Sequence, residues 1–162
     1  KFLILNNHKL NLNQFPENYH LIAIHSDLDE FRLAFFLNKK LNIGLKRKNN
    51  DIYFSEQNAN YSSYEFLDDT KYLKWIFFSN KSLVSEKSPD EDLSLFGQGS
   101  TALNEINLLS QQKSVDYFLI IENIANKTYI DKVLKKISEI SGVITSFLSD
   151  NKLENKENLI FS

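Results

Sequence analysis

Three histidines, His8, His20 and His25, are the side chains best suited to acid–base or metal chemistry in this chain. His20 and His25 lie in a run of apolar residues typical of a strand, and a spacing of five places them on opposite faces, where they cannot share an ion. Cysteine is absent, which excludes thiolate nucleophiles and Cys-ligated zinc or iron–sulfur clusters. We therefore expect no metal site and no metal cofactor.

The tripeptide His25-Ser26-Asp27 contains the residue types of a hydrolytic triad. Neighbours in sequence at the end of a strand rarely have triad geometry. Ser26 and Asp27 are also good N-cap residues for a helix that begins after them. Capping accounts for both side chains, so the sequence predicts no catalytic residue here.

The glycine segment Gly97-Gln98-Gly99-Ser100-Thr101-Ala102 has the G-x-G-x-x-A spacing of a dinucleotide-binding fingerprint. That fingerprint needs a buried strand before it and a long helix after it. Residues 92–96 make a poor strand, and residues 102–109 make a short helix at best. We expect a flexible turn and no nucleotide cofactor.

One basic cluster has aromatic residues close behind it, Tyr53 and Phe54. Lysines on one edge with aromatics to stack bases are typical of RNA binding. A solvated helix end and hairpin would show the same charges, and acidic stretches at 65–69 and 86–92 argue against a broad basic surface. The cluster consists of Lys39, Lys40, Lys46, Arg47 and Lys48.

Asp116 begins a predicted strand, on the face that also carries Phe118 and Ile120. It is either an edge carboxylate that accepts hydrogen bonds from backbone or lysine groups, or a partly buried acid in a site. One acid without a matched base or second carboxylate supports no mechanism, which favours the structural interpretation.

Two β-α-β units position these residues. The first has a central strand at 19–25 and a helix with Lys39 and Lys40 in its last turns and Gly44 as its stop. Its apolar stripe is wide enough to predict packing on more than one side, and it consists of Leu28, Phe31, Ala34, Phe35, Phe36, Leu37 and Leu41.

The second unit has a strand at 115–122, a helix at 128–141 and a strand at 143–149. Thr128 is its expected N-cap and Gly142 its stop. Short β-rich runs between the two units predict an antiparallel meander. We therefore predict one α+β domain over residues 1–162, a ferredoxin-like sandwich with both helices on one face of a mainly antiparallel sheet.

Residues 79–101 are rich in Ser, Asp and Glu, and they show no helical or strand period. About twenty structureless residues are uncommon within a domain, so this segment is predicted to be a functional loop or partly disordered. Leu83, Leu95 and Phe96 lie within it. They are candidate anchors for a partner or for docking of the loop itself.

Composition excludes several classes of protein. The chain has 162 residues with 19 Lys and Arg against 21 Asp and Glu, and this near-neutral balance gives no global field to attract nucleic acid or anionic lipid. No apolar run approaches the ~20 residues that span a bilayer. With no cysteine and no signal peptide, a cytoplasmic location is expected, and the sequons at Asn60, Asn80 and Asn126 are expected to be chance matches.

The segment LSQQKSVDY at 109–117, followed by FLIIE, resembles the signature of the IPExxxVDY family of small uncharacterised bacterial proteins. Val115, Asp116 and Tyr117 match the signature, whereas residues 109–111 differ from its Ile-Pro-Glu. FFLNKKL at 35–41, FFSNKS at 77–82 and ENLIF at 157–161 are similar to the same family. The resemblance implies a single-domain cytoplasmic protein and no particular activity.

These features favour a non-enzymatic cytoplasmic module for protein interaction or regulation, with a protein partner of unknown identity. One alternative is an RNA-associated protein that uses the basic cluster. A second alternative is a small-ligand sensor of the plait type, which rests on fold analogy alone. The residues predicted to bind the partner are Leu83, Leu95, Phe96, Asp116 and Tyr117.

Overall fold

The computed structural model describes residues 19–54, 57–85, 103–124 and 126–149. They form an α+β domain with two α-helices and ten strands. In chain order the elements are β1 (Tyr19–Ser26), α1 (Glu30–Leu41), β2 (Lys46–Arg47), β3 (Ile52–Phe54), β4 (Ala59–Tyr61), β5 (Ser63–Asp68), β6 (Leu73–Ser79), β7 (Lys81–Ser85), β8 (Leu103–Asn107), β9 (Tyr117–Glu122), α2 (Lys127–Ser138) and β10 (Val143–Ser149).

Six strands form the main sheet, in the order β10-β1-β9-β6-β5-β2, and every pairing in it is antiparallel. Two hairpins, β3–β4 and β7–β8, form separate two-stranded sheets. The predicted α+β class with a mainly antiparallel sheet is confirmed. The ferredoxin-like arrangement of two β-α-β units is not confirmed, because the main sheet has six strands and includes the sequential neighbours β5 and β6 of a meander.

Both helices pack on one face of the sheet, because alternate residues of its central strands are apolar on that side. Residues of β1, β6 and β9 meet residues of α1 and α2 there in one buried cluster. The main contributors are Ile22, Ile24, Trp75, Phe77, Leu119 and Ile121 from the strands and Leu33, Leu37, Ile130, Val133 and Ile137 from the helices.

The opposite face of the sheet is covered by β3, β4 and the segment before β9. The alternate residues of the same central strands are apolar on this side as well, as expected for strands buried on both faces. The cluster includes Leu21, Ala23, Ile76, Phe78, Phe118 and Ile120 from the sheet and Ile52, Phe54, Tyr61, Leu108 and Val115 from the covering segments.

The predicted meander after Gly44 is therefore only partly correct. β5 and β6 form a hairpin, with Phe66 opposite Trp75, and β2 pairs with β5. β3 and β4 leave this sheet and lie over its face. Short alternating runs specify strands and turns, but they do not specify which sheet a hairpin joins.

The caps of both helices differ from those predicted. Asp29 caps α1 by accepting a hydrogen bond from the Arg32 N–H at 2.9 Å, and Asn42 ends it in the left-handed conformation, where Gly44 was expected. Asn126, two residues before Thr128, caps α2 by accepting a hydrogen bond from the Thr128 N–H. Competing polar residues stand next to each other at these ends, so local preference alone does not select between them.

The predicted loop at 79–101 is corrected in its first part. Residues 81–85 form β7, and β7 pairs with β8 at 103–107, where a short helix was expected. The strand partner lies about twenty residues further along the chain, so a local pattern does not reveal the pairing. The remaining part of the loop, which includes Leu95, Phe96 and the glycine segment, lies outside the described residues. No helix within the described ranges is both long and apolar enough to cross a membrane.

Candidate interaction surface

β10 is one edge of the main sheet and carries exposed apolar side chains. It pairs with β1 along one side, and no strand of the described part of the chain pairs with its other side. Ile144 is 55% exposed, Phe147 is 45% exposed and Leu148 is 42% exposed. An edge strand of seven residues with unpaired backbone groups is a template for pairing with another strand.

The exposed side chains of β10 lie on both faces of the sheet. Leu148 is opposite Ile22, which faces the helices, whereas Phe147 is opposite Ala23, which faces the other way. The pairing with β1 has a register irregularity between His25 and Ser26 that skips Ile144, so the regular alternation of β10 does not extend to Ile144. Apolar residues on both faces are typical of a central strand and not of an edge.

The other edge of the sheet, β2, has opposite properties. It is two residues long, and both residues, Lys46 and Arg47, are charged and exposed. Shortness and charge are the usual protections of an edge strand against pairing. β10 is seven residues long and has no charged residue between Val143 and Ser149, so it lacks these two protections.

A second apolar surface lies on the outer side of α1. Phe31 and Phe35 are both exposed, so the helix packs on one main side and the predicted second side has no cover among the described residues. With Leu28, Phe36, Arg32 and Ser141 these residues line a groove of about 510 Å³. Arg32 at its rim is paired with Asp29.

Asp116 is the centre of a charged cluster on the face away from the helices. One carboxylate oxygen accepts hydrogen bonds from the His25 imidazole, through Nδ1, and from the Ser26 backbone N–H at 2.9 Å. The other oxygen lies 2.8 Å from Lys81 Nζ, and Lys81 also contacts Glu105 at 3.5 Å. The structure therefore brings together residues from four separate parts of the chain.

These contacts decide the ionisation of the cluster. Burial alone would raise the pKa of the Asp116 carboxyl, but the hydrogen bonds from Lys81, the Ser26 backbone and His25 outweigh it and hold that pKa below its ordinary value. The hydrogen bond to Asp116 raises the pKa of the Lys81 ammonium. Asp116 is thus an anion whose two oxygens are both engaged, as in the structural interpretation of this residue.

Asn80 organises the chain segment that leads into Asp116. Its side chain is fully buried, and its amide donates to the Gln112 carbonyl at 3.0 Å and to the Val115 carbonyl at 2.8 Å. Its amide oxygen accepts from the Leu109 N–H at 2.9 Å. These three bonds fix the turn over residues 109–115 and so place Asp116 against Lys81.

The residues predicted to bind a partner are not brought together. Tyr117 is directed inward, where its hydroxyl donates to the Leu28 carbonyl at 2.8 Å and burial raises its pKa to about 12. Leu83 is exposed on β7, beside a shallow depression lined also by residues 58–60. Asp116 lies in the charged cluster, and the positions of Leu95 and Phe96 are outside the described residues.

The basic cluster is divided between α1 and β2. Lys40 is paired with Glu139, and Arg47 is paired with Asp51 and lies 5.7 Å above the ring of Tyr64. Lys39 and Lys46 are exposed. Phosphate binding at Lys40 and Arg47 would have to compete with these intramolecular contacts.

The histidines have separate partners. His20 Nε2 is 2.8 Å from the Ile124 carbonyl oxygen, whereas His25 contacts Asp116. Within the described residues, no group of three or more His, Cys, Asp or Glu side chains is placed to hold a metal ion.

No protein-family model matches this chain, and no curated protein or solved structure matches it either. The resemblance to the IPExxxVDY family therefore stays a prediction. In the signature segment the structure places Leu109 and Val115 in the core and Asp116 in the charged cluster.

Sequence reasoning did not predict the residues of the β10 edge as a site, although the apolar pattern of VITSFLS could have indicated it. Its apolar residues fall on both faces, which is the pattern of a central strand. The signal becomes informative only with the sheet order, because that order shows that this strand is at an edge. For Lys81 and Asn80 the local sequence contains no comparable signal.

Proposed function

We propose that this protein is a non-enzymatic interaction module that binds an apolar polypeptide strand along the outer edge of β10. The observation that carries the proposal is that β10 exposes apolar side chains on both faces, at an edge where the described residues supply no further strand. Strand addition would pair the free backbone groups and cover Ile144, Phe147 and Leu148 together.

The chemistry of the edge defines the partner. Main-chain hydrogen bonds hold any added strand, whereas side chains on alternate faces select it. Here both faces offer apolar contacts and β10 offers no charge, so the matching strand is apolar on both sides. This is the module for protein interaction expected from the sequence, at a surface other than the predicted one.

In this proposal the charged cluster around Asp116 has a structural role. Both oxygens of Asp116 are engaged by Lys81, His25 and the Ser26 backbone. Since His25 is on β1, the neighbour of β10, the cluster ties β9 and β7 to the strand that supports the proposed binding edge.

A charged residue in β10 tests the proposal. Ile144→Lys introduces a cation at the edge, and Leu67→Lys on β5 is a matched control because Leu67 is equally exposed, at 55%. We expect proteins captured by the tagged wild type to be captured by Leu67→Lys and lost with Ile144→Lys. In the captured complex, hydrogen exchange at residues 143–149 should slow relative to a chain without partner.

Two results contradict the proposal. One is capture that Ile144→Lys leaves unchanged. The other is a complex in which the amides of β10 exchange as fast as in the free chain, because strand addition necessarily protects the outward amides.

A cytoplasmic location, suggested by the absence of cysteine, is part of this proposal. So is a ferredoxin-like core formed by β10, β1, β9 and β6. Its support is that α2 joins β9 to β10 although β1 lies between these two strands.

A further inference from the structure

We infer that this chain itself regulates access to the β10 edge, through residues 158–161, which add to the edge as a strand and which a partner has to displace. The inference rests on the proposed function and names the regulation of that same site. Residues 150–162 follow β10 directly in the sequence and lie outside the described residues. Because they are joined to the end of β10, the connection holds them close to the exposed edge.

The segment 158–161 has the chemistry that this edge selects. Leu159, Ile160 and Phe161 are consecutive apolar residues, and because side chains alternate along a strand, a strand formed by them is apolar on both faces. Phe147 and Leu148 are exposed on opposite faces of β10 and need such a strand to cover both. Apolar cross-strand pairs of this kind stabilise antiparallel strands.

The connection leads the segment to the outer side of β10. β1 occupies the other side, so a strand that returns along β10 can pair only with the outer one. Residues 150–157 make the connection, and seven of these eight residues are charged or asparagine, a composition typical of an exposed turn. At ~3.3 Å per residue they span far more than the ~4.8 Å between neighbouring strands. A return by hairpin therefore brings the segment to the free edge.

A second apolar run, FLIL at 2–5, precedes β1 and is less suited to the edge. Leu21 of β1 is opposite Ser149 of β10, so the chain enters β1 at the end where β10 leaves the sheet. A strand that turned around this end onto the outer side would run parallel to β10, and parallel pairing is slightly less stable per residue. Its connection, residues 6–18, is also longer than residues 150–157, which makes loop closure entropically more costly.

The segment covers only part of β10. The pairing of β10 with β1 is regular from Thr145 to Ser149, and the irregularity lies next to Ile144. A strand of residues 158–161 that returns from Ser149 reaches Ser146, so Ile144, which is 55% exposed, stays uncovered. A longer partner strand can pair first at this uncovered end and then displace the segment. The segment thus lowers the apparent affinity of the edge for partners without closing it.

Hydrogen exchange on the full chain tests whether the segment covers the edge. Ile160→Lys places a charge within the segment, and Ile4→Lys is the matched control because Ile4 lies in the apolar run before β1. We expect outward amides among residues 146–149 to exchange about tenfold faster in Ile160→Lys than in the wild type, because they lose their partner strand. Exchange of these amides in Ile4→Lys should equal that of the wild type. Phe161→Lys should repeat the effect of Ile160→Lys.

A labelled peptide of residues 157–162, ENLIFS, tests the regulation with a defined probe. Fluorescence anisotropy measures its binding to each full-length variant. We expect its dissociation constant to be about tenfold lower for Ile160→Lys than for the wild type or Ile4→Lys, because the edge of the wild type is partly occupied. Adding Phe147→Lys to the Ile160→Lys chain should abolish binding, and so should Ile160→Lys within the peptide.

Other outcomes overturn the inference and are distinguishable. Equal exchange of residues 146–149 in Ile160→Lys and the wild type refutes it, and the proposed function stands if capture still depends on Ile144. Faster exchange in Ile4→Lys instead shows that the run before β1 covers the edge. Faster exchange in Ile160→Lys, with no peptide bound and no protein captured, shows a permanent strand of the domain and refutes both proposals. Equal peptide affinity for Ile160→Lys and the wild type refutes the regulation.

Discussion

Replacing Asn80 with alanine removes three hydrogen bonds at once from the interior of the domain. The Asn80 side chain is completely buried and bonds to Leu109, Gln112 and Val115. Alanine can make none of these contacts.

The cost follows from the groups left behind. A typical hydrogen bond contributes about 1 kcal/mol net, but a buried donor or acceptor left unpaired costs about 1–3 kcal/mol. The bonds to the Leu109 N–H and the Val115 carbonyl are buried, whereas the bond to Gln112 is only partly buried. We therefore expect Asn80→Ala to lower the free energy of unfolding by about 3 kcal/mol.

Urea unfolding followed by circular dichroism measures this loss, and thermal unfolding should show a Tm lower by roughly 6–12 °C. Asn60→Ala is the matched control, because Asn60 is an exposed asparagine in a strand, and its effect should stay within about 0.5 kcal/mol. A loss below about 1 kcal/mol for Asn80→Ala would refute the reasoning, since it would mean that water or a rearranged turn satisfies the buried groups.

Two further predictions concern Asp116 and Gly142. Asp116→Asn should lower stability at neutral pH. The folded pKa of Asp116 is below its ordinary value of 3.8. The stability from its carboxylate is therefore present above pH ~4 and is lost as the pH falls through the folded pKa. Urea unfolding at pH 7 and pH 3 should show the difference between wild type and variant shrinking, and a constant difference would contradict this prediction. Gly142→Ala should lower the free energy of unfolding by about 1–3 kcal/mol, because Gly142 has φ +96° and an added Cβ would lie 2.7 Å from Leu28 Cγ. Thermal unfolding measures this loss, and an unchanged Tm would contradict the prediction.

Much of the fold was predictable from local patterns. The strand at 19–25, the strand at 143–149, the two amphipathic helices and the α+β class follow from apolar periodicity and turn residues, and the structure contains all of them. Helix ends were predicted less well. Asp29 and Asn126 cap the helices. The predicted caps Ser26, Asp27 and Thr128 have comparable N-cap preferences, and the geometry of the incoming chain selects between such residues.

The pairing of β7 with β8 and the separation of β3 and β4 from the main sheet were not predictable in this way. Both depend on contacts between residues distant in sequence, and β propensity varies with such surroundings. The same reason applies to Asp116. Its sequence neighbours do not reveal Lys81 or His25, which reach it from β7 and β1.

The sequence by itself determined the class of the domain, the absence of cysteine chemistry and the two-sided apolar character of residues 143–149. These are properties of composition and of short-range period, and they hold for any arrangement of the elements. The tertiary structure alone decided that this apolar strand lies at an edge of the sheet while the charged, two-residue β2 lies at the other. Strand order arises from long-range pairing, and that order turns a core-like strand into a candidate binding surface.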